Sequence, residues 1–109
     1  MTNDLPIPIA GYIAAENASD ADALTACFIE DAAVKDENET RRGLAAIKQW
    51  AITTKAKYHH SIEPLRVARD GEKTVVTNRL AGDFPGSPIE LQFIFTLSGD
   101  KIASLEIDS

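Results

Sequence analysis

The apolar residues of this chain change their period once, near Tyr58, and that single change limits the folds available. Upstream, apolar residues recur on stripes of 3.6 periodicity; downstream, they alternate with period 2. Ile9, Tyr12 and Ile13, with Glu16 at the margin, share one face of a helix predicted over about residues 7–17, and Pro6 and Pro8 are confined to its start. Ser19 can cap a second helix, with Asp20 and Asp22 in the first turn and Leu24, Cys27 and Phe28 as its buried face. A short extended piece, Ala33–Asp36, leads into the polar turn Glu37–Thr40. Gly43 then opens a third helix, in which Leu44, Ile47, Trp50 and Ala51 share a face.

Beyond Tyr58 the signals are those of strands. Pro64 bends the run from His59 to Val67 or sets it at an edge. Asp70-Gly71 marks a hairpin, Thr74–Leu80 is β-branched and extended, and Phe84–Pro88 is a loop. Ile89, Leu91, Phe93, Phe95 and Leu97 alternate cleanly with their neighbours, and Ser98-Gly99-Asp100 turns into a last strand, Lys101–Ile107. Three helices followed by a meander predict an α+β fold, the helices packed on one face of a curved, mainly antiparallel sheet.

Composition narrows the partners. A chain of 109 residues fits one domain and can build a core without disulfides or a structural metal. Seventeen acids against 11 bases give a net charge of -6, the wrong sign for a phosphate-backbone binder, so nucleic acid is not expected. No apolar run reaches membrane-spanning length, and Met1–Pro8 lacks a basic segment followed by an apolar one; the expectation is a cytoplasmic protein with no membrane partner. The single Cys27 is expected as a buried, reduced thiol.

Two stretches carry a resemblance. Phe28-Ile-Glu-Asp-Ala-Ala-Val-Lys-Asp36, followed after a polar turn by Arg42-Gly-Leu-Ala-Ala-Ile-Lys-Gln-Trp50, resembles the nuclear transport factor 2-like superfamily, nearest its SnoaL-like and ketosteroid isomerase-like branches. The Phe84-Pro-Gly-Ser-Pro88 loop and the Gly99–Ile107 strand are similar too, so the likeness spans nearly the whole chain as one SnoaL-like domain, 1–109. It implies a conical, cystatin-like α+β barrel with one open mouth, which often dimerises through the outer face of the sheet. The fold hosts many unrelated activities.

In the isomerase branch a carboxylate base stands where this chain has Asp36, and an oxyanion-stabilising tyrosine stands where it has Tyr12, 24 residues earlier. Enolisation beside a carbonyl needs a base for the α-proton and a donor for the enolate oxygen, and a carboxylate and a phenol in a dry cone supply both. Asp36 and Tyr12 are therefore the candidate catalytic residues, with no cofactor. The likeness breaks at the second, protonated acid of that oxyanion hole. Phe93, or Gln92 with a different gap, stands in its place. Efficient steroid isomerisation is not expected, whereas slower proton transfer or a cyclase-like aldol step is.

Each assignment has a plainer alternative: Tyr12 as a core tyrosine, Asp36 as a turn cap. Trp50, His60, Phe84, Phe93 and Phe95 are the expected pocket-lining residues, core packing being the other reading. His59 and His60 point to opposite faces if they lie on a strand, so they cannot easily share a metal, and no metal site is expected. His60 facing inward would be a proton shuttle or polar anchor; the alternative is a surface histidine. Arg79 and Asp83 are expected exposed, since buried ions are costly. Two classes of function remain: a cofactor-independent isomerase or cyclase acting on a small apolar carbonyl compound, and a non-catalytic ligand-binding or homodimeric assembly domain of the same fold.

Overall fold

Glu37 and Asn38 both adopt left-handed backbone, φ 53° and 63°, which closes a two-residue hairpin of the kind that matches strand twist. That hairpin turns what reads as a four-residue polar turn into a strand pair. A computed structural model describes residues 5–108; Met1–Asp4, part of the stretch read for a targeting signal, and Ser109 lie outside the described residues. The elements run α1 (Ile7–Asn17), α2 (Ala21–Thr25), β1 (Phe28–Asp36), β2 (Glu39–Arg42), α3 (Leu44–Tyr58), β3 (Ser61–Asp70), β4 (Lys73–Ala81), β5 (Ile89–Ser98) and β6 (Lys101–Asp108). Helices followed by a curved sheet make the expected α+β architecture. Among the described residues no helix is long and apolar enough to cross a membrane.

The six strands lie in the order β2-β1-β6-β5-β4-β3, all antiparallel neighbours except the parallel pair β1 and β6. β1 and β3 are thus four strands apart, and α1 and α3 pack against the concave face between them. Inward residues of the central strands, Val34, Val76, Phe93, Phe95, Ile102 and Leu105, meet Ile9, Tyr12 and Ile47 of the helices in one buried cluster.

Four local expectations are corrected. Ser19 does not cap α2: it takes φ 56°, and the Asp20 carboxylate accepts from the Ala23 N–H at 3.0 Å instead. Phe28 is not on that helix, which ends at Thr25; a register shift after Phe28 lets β1 begin there and still turn Ala32, Val34 and Asp36 inward. Glu39–Arg42 is a strand because the hairpin pairs Asp36 with Glu39 and Ala33 with Arg42; its exposed polar residues carry no apolar alternation to announce it. Pro64 sits at a bulge on β3, an edge strand where a missing N–H costs little. Cys27 is partly exposed, its thiol donating weakly to the Ala23 carbonyl at 3.5 Å.

Candidate functional site

A cavity of about 300 Å³ opens between α1, α3 and the concave face of the sheet. Its walls are mostly apolar: Ile62, Leu80, Phe84, Ile89, Leu91, Phe93 and Ile107. Tyr12, Glu16, Asp36, Glu37, Trp50, Thr54, Tyr58 and His60 supply the polar atoms. Of the seven residues singled out from sequence, six reach this cavity. Phe95 does not. It follows Phe93 on the inward face of β5, one step deeper, where it is fully buried with its ring edge-on to Tyr12 at 5.6 Å.

Asp36 owes its place to strand parity. Ala32 and Val34 are buried, so Asp36 points the same way at the rim of the cavity, held there by the hairpin that follows. The Trp50 indole N–H, from the inward face of α3, donates to Asp36 Oδ2 at 3.1 Å. Burial raises the Asp36 pKa above the usual aspartate value; the Trp50 N–H pulls it back, the nearby charge of Glu37 adds to the rise, and Arg41 opposes it. Ionised, Asp36 is a stronger base than an exposed aspartate.

Tyr12 lies deep in the cavity, 1% exposed, packed edge-on against Phe28 and Phe95. Desolvation holds its hydroxyl well above the ordinary tyrosine pKa, and the negative charges of Glu16 and Asp36 push the same way. It therefore stays protonated, with the Glu16 carboxylate as one acceptor beside its hydroxyl.

One turn along α1, Glu16 is buried at 3% exposure; with Glu37, Thr54 and Tyr58 it is one of the polar cavity residues that the sequence did not mark as part of a site. Its Oε1 lies 3.3 Å from His60 Nε2 and 3.7 Å from the Lys55 ammonium. Lys55 also donates to the carbonyl of His60, tying the end of α3 to the start of β3. The signal in the sequence was an acid four residues after Tyr12 on a helical apolar stripe, which demands a partner when buried.

The chain between α3 and β3 decides which histidine faces inward. His59 takes left-handed φ 49° as the cap of α3 and turns outward, its Nδ1 3.1 Å from Asp83 at the surface. His60 is 9% exposed, lines the cavity, and has no protein partner for Nδ1 among the described residues. Gly82 presses against this joint: a Cβ there would lie 2.6 Å from the Tyr58 carbonyl and 2.8 Å from His60 Cα, so only glycine fits. At the mouth, the Tyr58 hydroxyl donates to Glu37 Oε2 at 3.1 Å and its ring meets Phe84 edge-on at 5.9 Å. Arg79 is about half exposed and Asp83 largely so. Among the described residues no group of three or more histidine, cysteine and carboxylate side chains could hold a metal ion.

The comparisons with known proteins agree on the fold. The profile of the SnoaL-like domain matches residues 9–105. A Sinorhizobium meliloti protein named as a candidate polyketide cyclase superposes with a TM-score of 0.95 at 38% identity, covering 99% of each chain. SalBIII, an epoxide hydrolase/cyclase-like enzyme of pyran ring formation in the polyether salinomycin, is 25% identical with a TM-score of 0.78, over 93% of this chain and 86% of its own. A Catenulispora acidiphila protein of ketosteroid isomerase-like fold, 20% identical with a TM-score of 0.83 over 95% of this chain and 85% of its own, is similar in fold. No curated protein sequence matches.

Proposed function

This chain belongs to the SnoaL-like domain family, and from that premise we propose that it moves a proton on a small apolar carbonyl compound, with Asp36 as base and Tyr12 as oxyanion donor. One observation carries the reading: a carboxylate whose pKa burial has raised and a phenol kept protonated by burial line the same apolar cavity. Asp36 takes the α-proton and Tyr12 donates to the oxygen on which the enolate charge develops. Returning the proton to the γ-carbon gives an isomerase; attack of the enolate carbon on a second carbonyl of the same molecule opens that carbonyl to an alkoxide, which takes the proton back from Asp36 and gives a cyclase. Both need only the chain's own residues. The names of the Sinorhizobium protein and of SalBIII favour cyclisation. Phe93 lines the cavity from the strand where the isomerase branch keeps its second acid, which argues for slow turnover with one side-chain oxyanion donor.

The test is conversion of a β,γ-unsaturated ketone to its α,β isomer, followed by absorbance. Turnover by the wild type is expected to fall at least about a hundredfold in Asp36→Asn and about tenfold in Tyr12→Phe. Wild-type turnover no greater than that of Asp36→Asn would contradict the reading.

The mixed outer face of β5, Glu90, Gln92, Ile94 and Thr96, with Val75 and Thr77 paired beside Ile94 and Gln92, supports a homodimer through the sheet as part of the same proposal. Sedimentation at twice the 11.8 kDa chain mass is the expected result, and a monomer at high micromolar concentration would contradict it.

A further inference from the structure

Charged side chains are sorted unevenly around the cavity. Three carboxylates line it, Glu16, Asp36 and Glu37, and among the described residues no lysine or arginine does. Glu16 has Lys55 at 3.7 Å and His60 at 3.3 Å beside it. Asp36 and Glu37, adjacent at the hairpin, have neutral side-chain donors instead: the Trp50 indole N–H at 3.1 Å and the Tyr58 hydroxyl at 3.1 Å. Arg41 and Lys57 act on this pair from outside, lining an outer groove that shares Trp50 with the cavity, and Arg41 is paired with Glu39 at 2.9 Å. The repulsion between the two neighbours registers in Asp36, whose pKa the Glu37 charge helps to raise after burial.

Both donors belong to aromatic rings that line the cavity themselves. An N–H or O–H that gives its hydrogen to a carboxylate leaves its ring richer in electrons, so the faces of Trp50 and Tyr58 gain negative character. Phe84 adds a third ring, edge-on to Tyr58 at 5.9 Å. The chain already uses Tyr58 as a cation surface: Lys57 holds its ammonium 5.0 Å from the ring centre. Farther along, Ile62, Leu80 and Leu91 offer only hydrocarbon. A bare metal ion is poorly served here, since among the described residues no group of three or more ligating side chains converges. A cation wrapped in alkyl groups suits rings, carboxylates and hydrocarbon together.

We infer that the cavity's ligand carries an alkylated ammonium group, seated at the mouth against Trp50, Tyr58 and Phe84 with Asp36 and Glu37 as its counter-charges. Resting on the reading of Asp36 as base, this makes the substrate an aminoketone, apolar apart from its one cation. Ammonium, acidic C–H and carbonyl then follow one another from the mouth inward to Tyr12. Electron withdrawal by the ammonium acidifies that C–H, which offsets the lower basicity a nearby cation imposes on Asp36. Glu37, Tyr58 and Phe84 are specificity-determining residues in this scheme. Binding reads the ammonium subsite and turnover reads the proton transfer, so either can fail without the other.

Choline and 3,3-dimethylbutan-1-ol have the same shape, with a quaternary nitrogen in one where the other has carbon. Trp50 is the chain's single tryptophan, so its emission reports occupancy of this mouth. With ionic strength held constant by sodium chloride, the wild type is expected to bind choline about tenfold more tightly than its neutral isostere, both read from Trp50 emission. Phe84→Leu keeps apolar bulk and removes a ring; it is expected to weaken choline about threefold and leave the isostere unchanged. Glu37→Gln, at an exposed position, removes one charge and should weaken choline in the same direction. Equal affinity of the wild type for the two probes, or no binding of choline, would overturn the inference without reference to any variant's folding. So would choline binding seen by calorimetry with Trp50 emission unmoved, which would place it on the acidic surface, or choline affinity unchanged in both variants. Failure of a neutral β,γ-unsaturated ketone to turn over would remove Asp36 as base and leave the ammonium subsite standing.

Discussion

Two of the carboxylates that line the cavity, Asp36 and Glu16, sit in opposite surroundings. On the β1 wall, Asp36 has neutral donors, the Trp50 indole N–H and the Glu37 backbone N–H, and desolvation is the largest influence on its pKa. On the α1 wall, Glu16 is more deeply buried but is flanked by an ammonium and an imidazole. A buried carboxylate set between an ammonium and an imidazole is held in place by them, whereas desolvation beside neutral donors raises the pKa of the other. On the proposed reading of Asp36 as base, depth of burial alone would point to the other carboxylate. The partners decide.

Breaking the Glu16 side should have the largest effect on stability. Glu16→Ala strands Lys55 and His60 and leaves space under α1, so urea unfolding is expected to show a loss of about 3 kcal/mol. A loss under about 1 kcal/mol would mean that Lys55 and His60 find water without cost and that the contrast between the two walls is overstated.

Asp36→Asn should do the reverse. Because the folded-state pKa of Asp36 is raised, the folded protein holds this proton more tightly than the unfolded chain, and stability falls as pH rises from the unfolded value through the folded one. The neutral amide removes that penalty while still accepting from Trp50. Thermal unfolding at pH 7 is therefore expected a few degrees higher in Asp36→Asn than in the wild type, the gain vanishing below the ordinary aspartate range, where both side chains are neutral. A lower melting temperature at neutral pH would contradict a desolvated Asp36.

The smallest effect belongs to Trp50→Phe. Without the indole N–H the ionised carboxylate loses its one side-chain donor, so the Asp36 pKa rises further. The acid limb of the kcat/KM profile should move to higher pH with little change on its plateau. An unmoved limb would mean that the titration seen in turnover is not that of Asp36.

Much of this fold was legible from period alone, because helix stripes and strand alternation are local properties. Asp36 was placed by its likeness to the isomerase pattern, and the parity of Ala32 and Val34 explains why that position looks inward. The site's other wall was legible only in fragments. Glu16 meets Lys55 and His60 through packing of α1 on the α3–β3 joint, a contact with no fixed sequence spacing. Which of two adjacent histidines faces inward depended on a left-handed His59, a backbone state that its sequence does not announce. Phe95 shares its face with Phe93, and alternation identifies a face without saying how deep the cavity reaches along it. β2 was hidden because its pairing follows from two left-handed residues in the preceding turn rather than from apolar residues of its own.

Titration of the Asp36 side-chain carboxyl by ¹³C NMR is the most direct test of the claim that Asp36 is the cavity's base. The expected result is a midpoint above the ordinary aspartate value in the wild type, moving higher still in Trp50→Phe. A midpoint at or below that value would make Asp36 a solvated turn residue, and the proton-transfer reading would fall with it.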